Sequence, residues 1–169
     1  MADVLDRPAP GTTRPRSLLA LLGFIAASLA AGVVGMLLQG DALDAWYPSI
    51  DTPPYTPPSW VFGPVWTTLY VLIGVAAWLD WRQRDSDRAR AGLALFGVQL
   101  VLNAAWTGIF FGLRQPGWAL VEILVLIATI VAWIAVTWKP ARGASLLLLP
   151  YAAWVGFATA ITAGVVVLN

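Results

Sequence analysis

Trp66 with Tyr70, then Gln99, Asn103 and Trp106, and finally Trp154 with Ala158 are the side chains here whose type and spacing suit chemistry. That chemistry is recognition of a flat, apolar guest. Residues three or four apart share one face of a helix, so each set projects in a single direction. Indole and phenol rings attract planar guests by offset stacking, worth about 1 kcal/mol per pair beyond area burial. Ala158, one turn after Trp154, leaves room beside that ring. An amide in lipid has to face the protein interior or stay unpaired at a cost, which turns Gln99 and Asn103 inward. Two readings of these amides stand: they link helices, or they are the few polar groups of an aromatic-walled cavity. For such a cavity, porphyrins and sterols are natural guests.

Other chemistries have little to work with. The chain of 169 residues has no histidine and no cysteine. This removes the usual general base, thiolates, disulfides and the commonest metal and haem ligands, so no metal site is expected. An iron porphyrin would have to take Tyr or Met36 as its axial ligand, which favours stacking and metal-free tetrapyrrole. Inside the apolar stretches the one acidic or basic residue is Glu122. It either anchors a helix end, paired with Arg114, or touches a proton or substrate in the interior. A net charge of +1 gives no case for nucleic acid.

The elements that position these residues are membrane helices. The chain is 59% hydrophobic and 11% charged, against roughly half and a quarter in soluble domains. The pattern predicts an all-α membrane protein, a five-transmembrane-helix bundle. Residues 1–17, rich in Pro, Arg, Thr and Asp, read as a disordered cytoplasmic tail. Residues 18–169 read as one domain, with helices at about 18–38, 57–79, 91–113, 117–138 and 144–168. Arg14 and Arg16 before the first run imitate a signal peptide, but the run is longer than a usual signal core.

The stretch WYPSIDTPPYTPPSWVFGPVWTTLY, Trp46 to Tyr70, joins the first two spans. Thr56 before Pro57 and Pro58 reads as a capped helix start, and Pro64 as a bend two turns later. Asp80 to Arg90 reads as a solvated charged turn. Trp78, Trp81, Trp133 and Trp138 form one interfacial belt, and Trp60 and Trp118 the other. Nine of ten basic residues fall on the side shared by the N-terminus, the second loop and the fourth loop. The positive-inside rule then puts the N-terminus in the cytoplasm and the C-terminus outside. Small-residue stripes at Ala27, Ala31 and Gly35, at Ala104, Gly108 and Gly112, and at Ala152, Gly156, Ala160 and Gly164 suit close helix packing or dimerisation equally.

WVFGPVWTTLY (60–70), QLVLNAAWTGIFFG (99–112), RQPGWALVE (114–122) and PYAAWVGFATA (150–160) resemble the tryptophan-rich sensory protein and translocator protein family, also called the peripheral-type benzodiazepine receptor family. The motifs recur in order from Trp46 onward, about three quarters of the chain. The resemblance implies a five-helix bundle, often a homodimer, with a pocket under the first loop. It implies porphyrin or haem as ligand, not a required cofactor, and binding residues Tyr47, Pro53, Trp66, Tyr70, Asn103, Trp106, Trp154 and Ala158. Trp66 and Trp154 match a pair implicated in light- and oxygen-dependent porphyrin breakdown; sensing, stress response and transport are further family themes. Some positions depart from the family pattern. Tyr55 stands where many members have Trp, Thr52 where some have Lys, and Thr162 where Asn is usual. Residues 158–169 lack the Tyr, Lys and Arg of the proposed cholesterol motif, so cholesterol transport is not expected.

Overall fold

A computed structural model describes residues 14–169, and five long helices dominate it. Helix α1 spans Arg14–Gln39, α3 Phe62–Arg82, α4 Asp87–Thr107, α5 Pro116–Thr137 and α6 Arg142–Leu168. A short α2, Ala42–Ala45, lies in the first loop, with single tight turns at Tyr47–Ser49 and Ser59–Val61. Each long helix is apolar enough to cross a bilayer. The protein is therefore an integral membrane protein. The tail expected at 1–17 lies outside the described residues up to 13; residues 14–17 already belong to α1.

The helices close into a ring. α1 packs on α3 and α4, α4 on α5, α5 on α6, and α6 on α3. With no hydrophobic force driving helices together in lipid, the contacts depend on shape and on small residues. A Cβ at Gly74 would fall 2.6 Å from the Ile25 Cα, so α1 and α3 touch backbone to backbone. The stripe on α4 faces α1: Gly108 and Gly112 meet Leu38, while Gly35 meets Thr107. Gly156 of the α6 stripe meets nothing within 4 Å.

The proline-rich stretch differs from its expected form. Thr56 caps nothing, because its hydroxyl is buried without a partner. Pro58 is extended at φ −56°, ψ 144°, and α3 starts only at Phe62. A residue preceding proline is pushed out of the helical region, which bars Thr56 and Pro57 from starting a helix. Pro64 thereby falls in the first turn, where a missing amide hydrogen is harmless, and the expected bend has no cause. One real interruption lies elsewhere: α4 ends in a π-helical turn, Gly108–Gly112, which sets Phe110 and Phe111 against the loop residues.

The other ends move by a few residues. α3 continues through Asp80 to Arg82, and α4 starts at Asp87 where residue 91 was expected. The segment read as a solvated turn thus belongs mostly to helices, since charged side chains at a membrane surface extend a helix out of the hydrocarbon without breaking it. At this basic end Arg82 stacks on Trp78, Arg84 on Trp81 and Arg142 on Trp138, with guanidinium to ring-centre distances of 4.9, 4.4 and 5.2 Å. Trp133 is no belt residue, being fully buried on α5.

Candidate functional site

At the opposite end, beneath the first loop, α1, α3, α4 and α6 enclose a cavity of about 540 Å³. That lies within the roughly 300–1,000 Å³ usual for small-molecule sites. Tyr47, Trp66, Tyr70, Trp106, Trp154 and Ala158 all line it, with Gly32, Met36, Phe110 and Thr162. Trp66 stacks on Tyr70 at 5.5 Å and 30°, and Trp106 on Phe110 at 5.1 Å and 21°. Trp154 is held edge to face by Phe62 at 5.9 Å. Tyr47 closes the loop side against Phe111 at 5.6 Å, and burial lifts its hydroxyl above the usual titration range.

Gly32 is required at the α1 wall, because a Cβ there would strike the Tyr70 ring. Between α1 and α3 the wall is open: Val33, Met36, Gly63 and Thr67 line the cavity and are exposed. Polar atoms are few. Two of them, the indole nitrogens of Trp106 and Trp154, are buried with no acceptor.

Pro53 and Asn103 do not line the cavity. Pro53 is buried against Gly164, where a Cβ would collide with its ring. The loop is further tied to α6 by Tyr55, whose hydroxyl donates to the Ala160 carbonyl at 3.2 Å. Asn169 completes the tie by exchanging two hydrogen bonds with the Asp51 backbone, at 3.0 and 3.1 Å. Pro53 is therefore a wedge for the loop that roofs the cavity.

Asn103 lies one layer deeper. It accepts from the Tyr70 hydroxyl at 2.5 Å and donates to Tyr151 at 3.3 Å; Tyr151 donates to Gln99 at 2.8 Å, and Gln99 to the Phe96 carbonyl at 3.1 Å. Of the two readings of the amides, this chain favours helix linking, since it joins α3, α4 and α6. It also fixes the Tyr70 ring that the cavity uses. We expect Tyr151→Phe, which strips two buried polar groups of a partner, to cost about 1–2 kcal/mol, read as a lower thermal midpoint in detergent.

Two acids behave differently from the sequence reading. Glu122 does not pair with Arg114: both its oxygens are buried and unpartnered, and Arg114 is exposed in the turn at φ 54°. Asp80, assigned to a solvated turn, is fully buried. Its place was readable, because Ile73, Ala76, Ala77 and Asp80 continue one buried helical stripe.

Five apolar helices, four of them around an aromatic, nearly uncharged chamber, define an all-helical integral membrane protein. The TspO/MBR family profile matches residues 24–168, and the chain belongs to that family. It is 38% identical over 153 residues to the tryptophan-rich protein TspO of Archaeoglobus fulgidus, covering 90% of this chain and 99% of that one. To the translocator protein of Homo sapiens it is 43% identical over 145 residues, 82% and 83% of the two chains. Protein CrtK of Rhodobacter capsulatus is 32% identical over 147 residues, 86% and 90%.

Proposed function

We propose that this protein binds tetrapyrroles, porphyrin or haem, in the aromatic cavity and acts as a membrane sensor or carrier for them. The observation that carries the reading is the pair of stacked aromatic walls, Trp66 on Tyr70 and Trp106 on Phe110, around one chamber. Such walls favour a planar guest by stacking on its faces. The gap between α1 and α3 supports delivery from the bilayer, which suits a guest that dissolves in lipid, and it also fits a transporter of flat hydrophobic molecules. In this reading the protein sits in a bacterial cell membrane as a homodimer, with its basic end and N-terminus cytoplasmic and the loop outside.

A dark titration of the purified protein with protoporphyrin IX, following tryptophan emission, tests it. Saturable quenching is expected, with a several-fold weaker midpoint in Trp154→Phe; a linear, unsaturable response refutes the reading. Trp66 and Trp154 share the cavity, and the Trp154 nitrogen has no acceptor that would fix its ring. This supports a second reading, light- and oxygen-dependent porphyrin degradation through these two indoles. Illumination of the loaded protein in air then yields a new tetrapyrrole product that Trp66→Phe abolishes, and an unchanged yield removes that role.

A further inference from the structure

Asp80 lies at the basic end of the bundle, away from the cavity, and is fully buried. Its Oδ2 accepts from the Trp133 indole nitrogen at 2.6 Å, while Oδ1 is buried with no partner. The surroundings are closed. A Cβ at Gly92 of α4 would come within 2.5 Å of Thr137 and 2.7 Å of the Asp80 carboxyl. The hydroxyls nearby are already spent, Thr137 on the Trp133 carbonyl at 2.8 Å and Ser145 on the Ile134 carbonyl at 3.0 Å, the two also facing each other at 3.0 Å.

Cations abound at this end, yet among the described residues none pairs with the carboxyl. Arg82 and Arg84 of α3 lie over Trp78 and Trp81, and Arg142 of α6 over Trp138. On α4, Arg90 pairs with Asp87, and that is the ion pair found among the described residues. Arg16 of α1, Arg88 of α4 and Lys139 after α5 are exposed and form no ion pair. A carboxylate sealed in apolar surroundings with one hydrogen bond and no counter-charge is far costlier than a neutral acid in the same place.

We propose that Asp80 is a proton-binding site: its carboxyl carries a proton on Oδ1 in this closed packing and releases it only when α3 separates from α4 and α5. The Trp133 nitrogen then donates to the carbonyl oxygen of a neutral acid. Closure of the basic end takes up one proton, so the closed packing is favoured as pH falls and weakened as pH rises. Nothing in this depends on what occupies the cavity.

Infrared spectra of the full-length protein in lipid bilayers test the site. At neutral pH the parent shows a protonated-carboxyl C=O band; Asp80→Asn removes its share, and Glu122→Gln separates the other buried acid. Trp133→Phe keeps the Asp80 band but moves it to higher frequency, because the carbonyl loses its donor; this arm stands even where Asp80→Asn folds poorly. The thermal midpoint should fall with rising pH in the parent and lose that part of its slope in Asp80→Asn. A band that Asp80→Asn leaves intact, or one that sodium ions abolish at constant pH, overturns the proposal, the second in favour of a metal cation at this carboxyl.

Discussion

Trp66→Ala weakens saturable binding of protoporphyrin IX by about 30- to 100-fold, equivalent to roughly 2–3 kcal/mol. The side chain is worth this much because it is used twice. It forms one wall of the chamber, and it stacks on Tyr70 at 5.5 Å while touching Tyr151 edge to face at 6.3 Å. Truncation removes the guest's stacking surface and strips one face of the Tyr70 ring, which keeps its hydroxyl on Asn103 and its contact with Gly32. Trp66→Phe keeps a ring in place and should lose less than about tenfold, since stacking contributes only about 1 kcal/mol per pair. Trp118→Ala is the control: that ring is 69% exposed on α5 and outside the cavity, so binding there should match the parent. The quantity to compare is the titration midpoint, because removing any indole changes the emission amplitude. Equal midpoints for Trp66→Ala and Trp118→Ala would move the guest out of this chamber.

Much of this arrangement was legible because lipid leaves a chain few options. Uncharged runs of membrane-crossing length can only be helices, and aromatic residues three or four apart must share a face. Of the eight binding residues that the resemblance implies, the five on helices that line the chamber follow from that, and Tyr47 joins them from the loop. What escaped was set by contacts between distant segments. Pro53 reads as a ligand residue until Gly164 of α6 is seen to leave a slot for its ring. Asn103 reads equally as a helix link or a cavity amide until Tyr70 and Tyr151, 33 and 48 positions away, are seen to occupy both ends of it.

Trp133 and Asp80 depart from their expected places for a simpler cause. Composition near a membrane surface points to a belt and a solvated turn there, whereas periodicity points to burial. Leu126, Ile130, Trp133 and Thr137 form one buried stripe, as do Ile73, Ala76, Ala77 and Asp80. Helical phase was the better guide to burial than distance from the span's end. The bundle consequently holds two kinds of buried polarity: a satisfied chain at mid-depth that fixes Tyr70, and two acids with unpartnered oxygens, Oδ1 of Asp80 and both oxygens of Glu122. The first shapes the chamber, and the second is where protonation can act.

Gly74→Leu should be the most destabilising single change on the α1 face, lowering the thermal midpoint in detergent by about 10 °C, as expected for roughly 3–4 kcal/mol of overpacking. A Cβ at this position meets the Ile25 backbone, at 2.6 Å from Cα and 2.8 Å from N. Backbone cannot swing aside as a flexible side chain does, so α1 must translate away from α3. α1 is otherwise held by the Trp78 indole nitrogen, which donates to the Ser17 carbonyl at 2.9 Å, by Phe24 edge to face on Phe96 at 5.6 Å and by Leu38 against Gly112, while Leu18, Leu22, Val33 and Leu37 are exposed. Because Gly32, Gly35 and Met36 of α1 line the chamber, the same displacement widens the gap between α1 and α3 and weakens porphyrin binding with no contact residue changed. Gly74→Ala should shift both readouts in the same direction by less. Gly156→Ala, with nothing within 4 Å, should be neutral or slightly stabilising through helix propensity. A Gly74→Leu protein with the parent's midpoint and affinity would mean that α1 does not rest on α3 as closely as this packing requires.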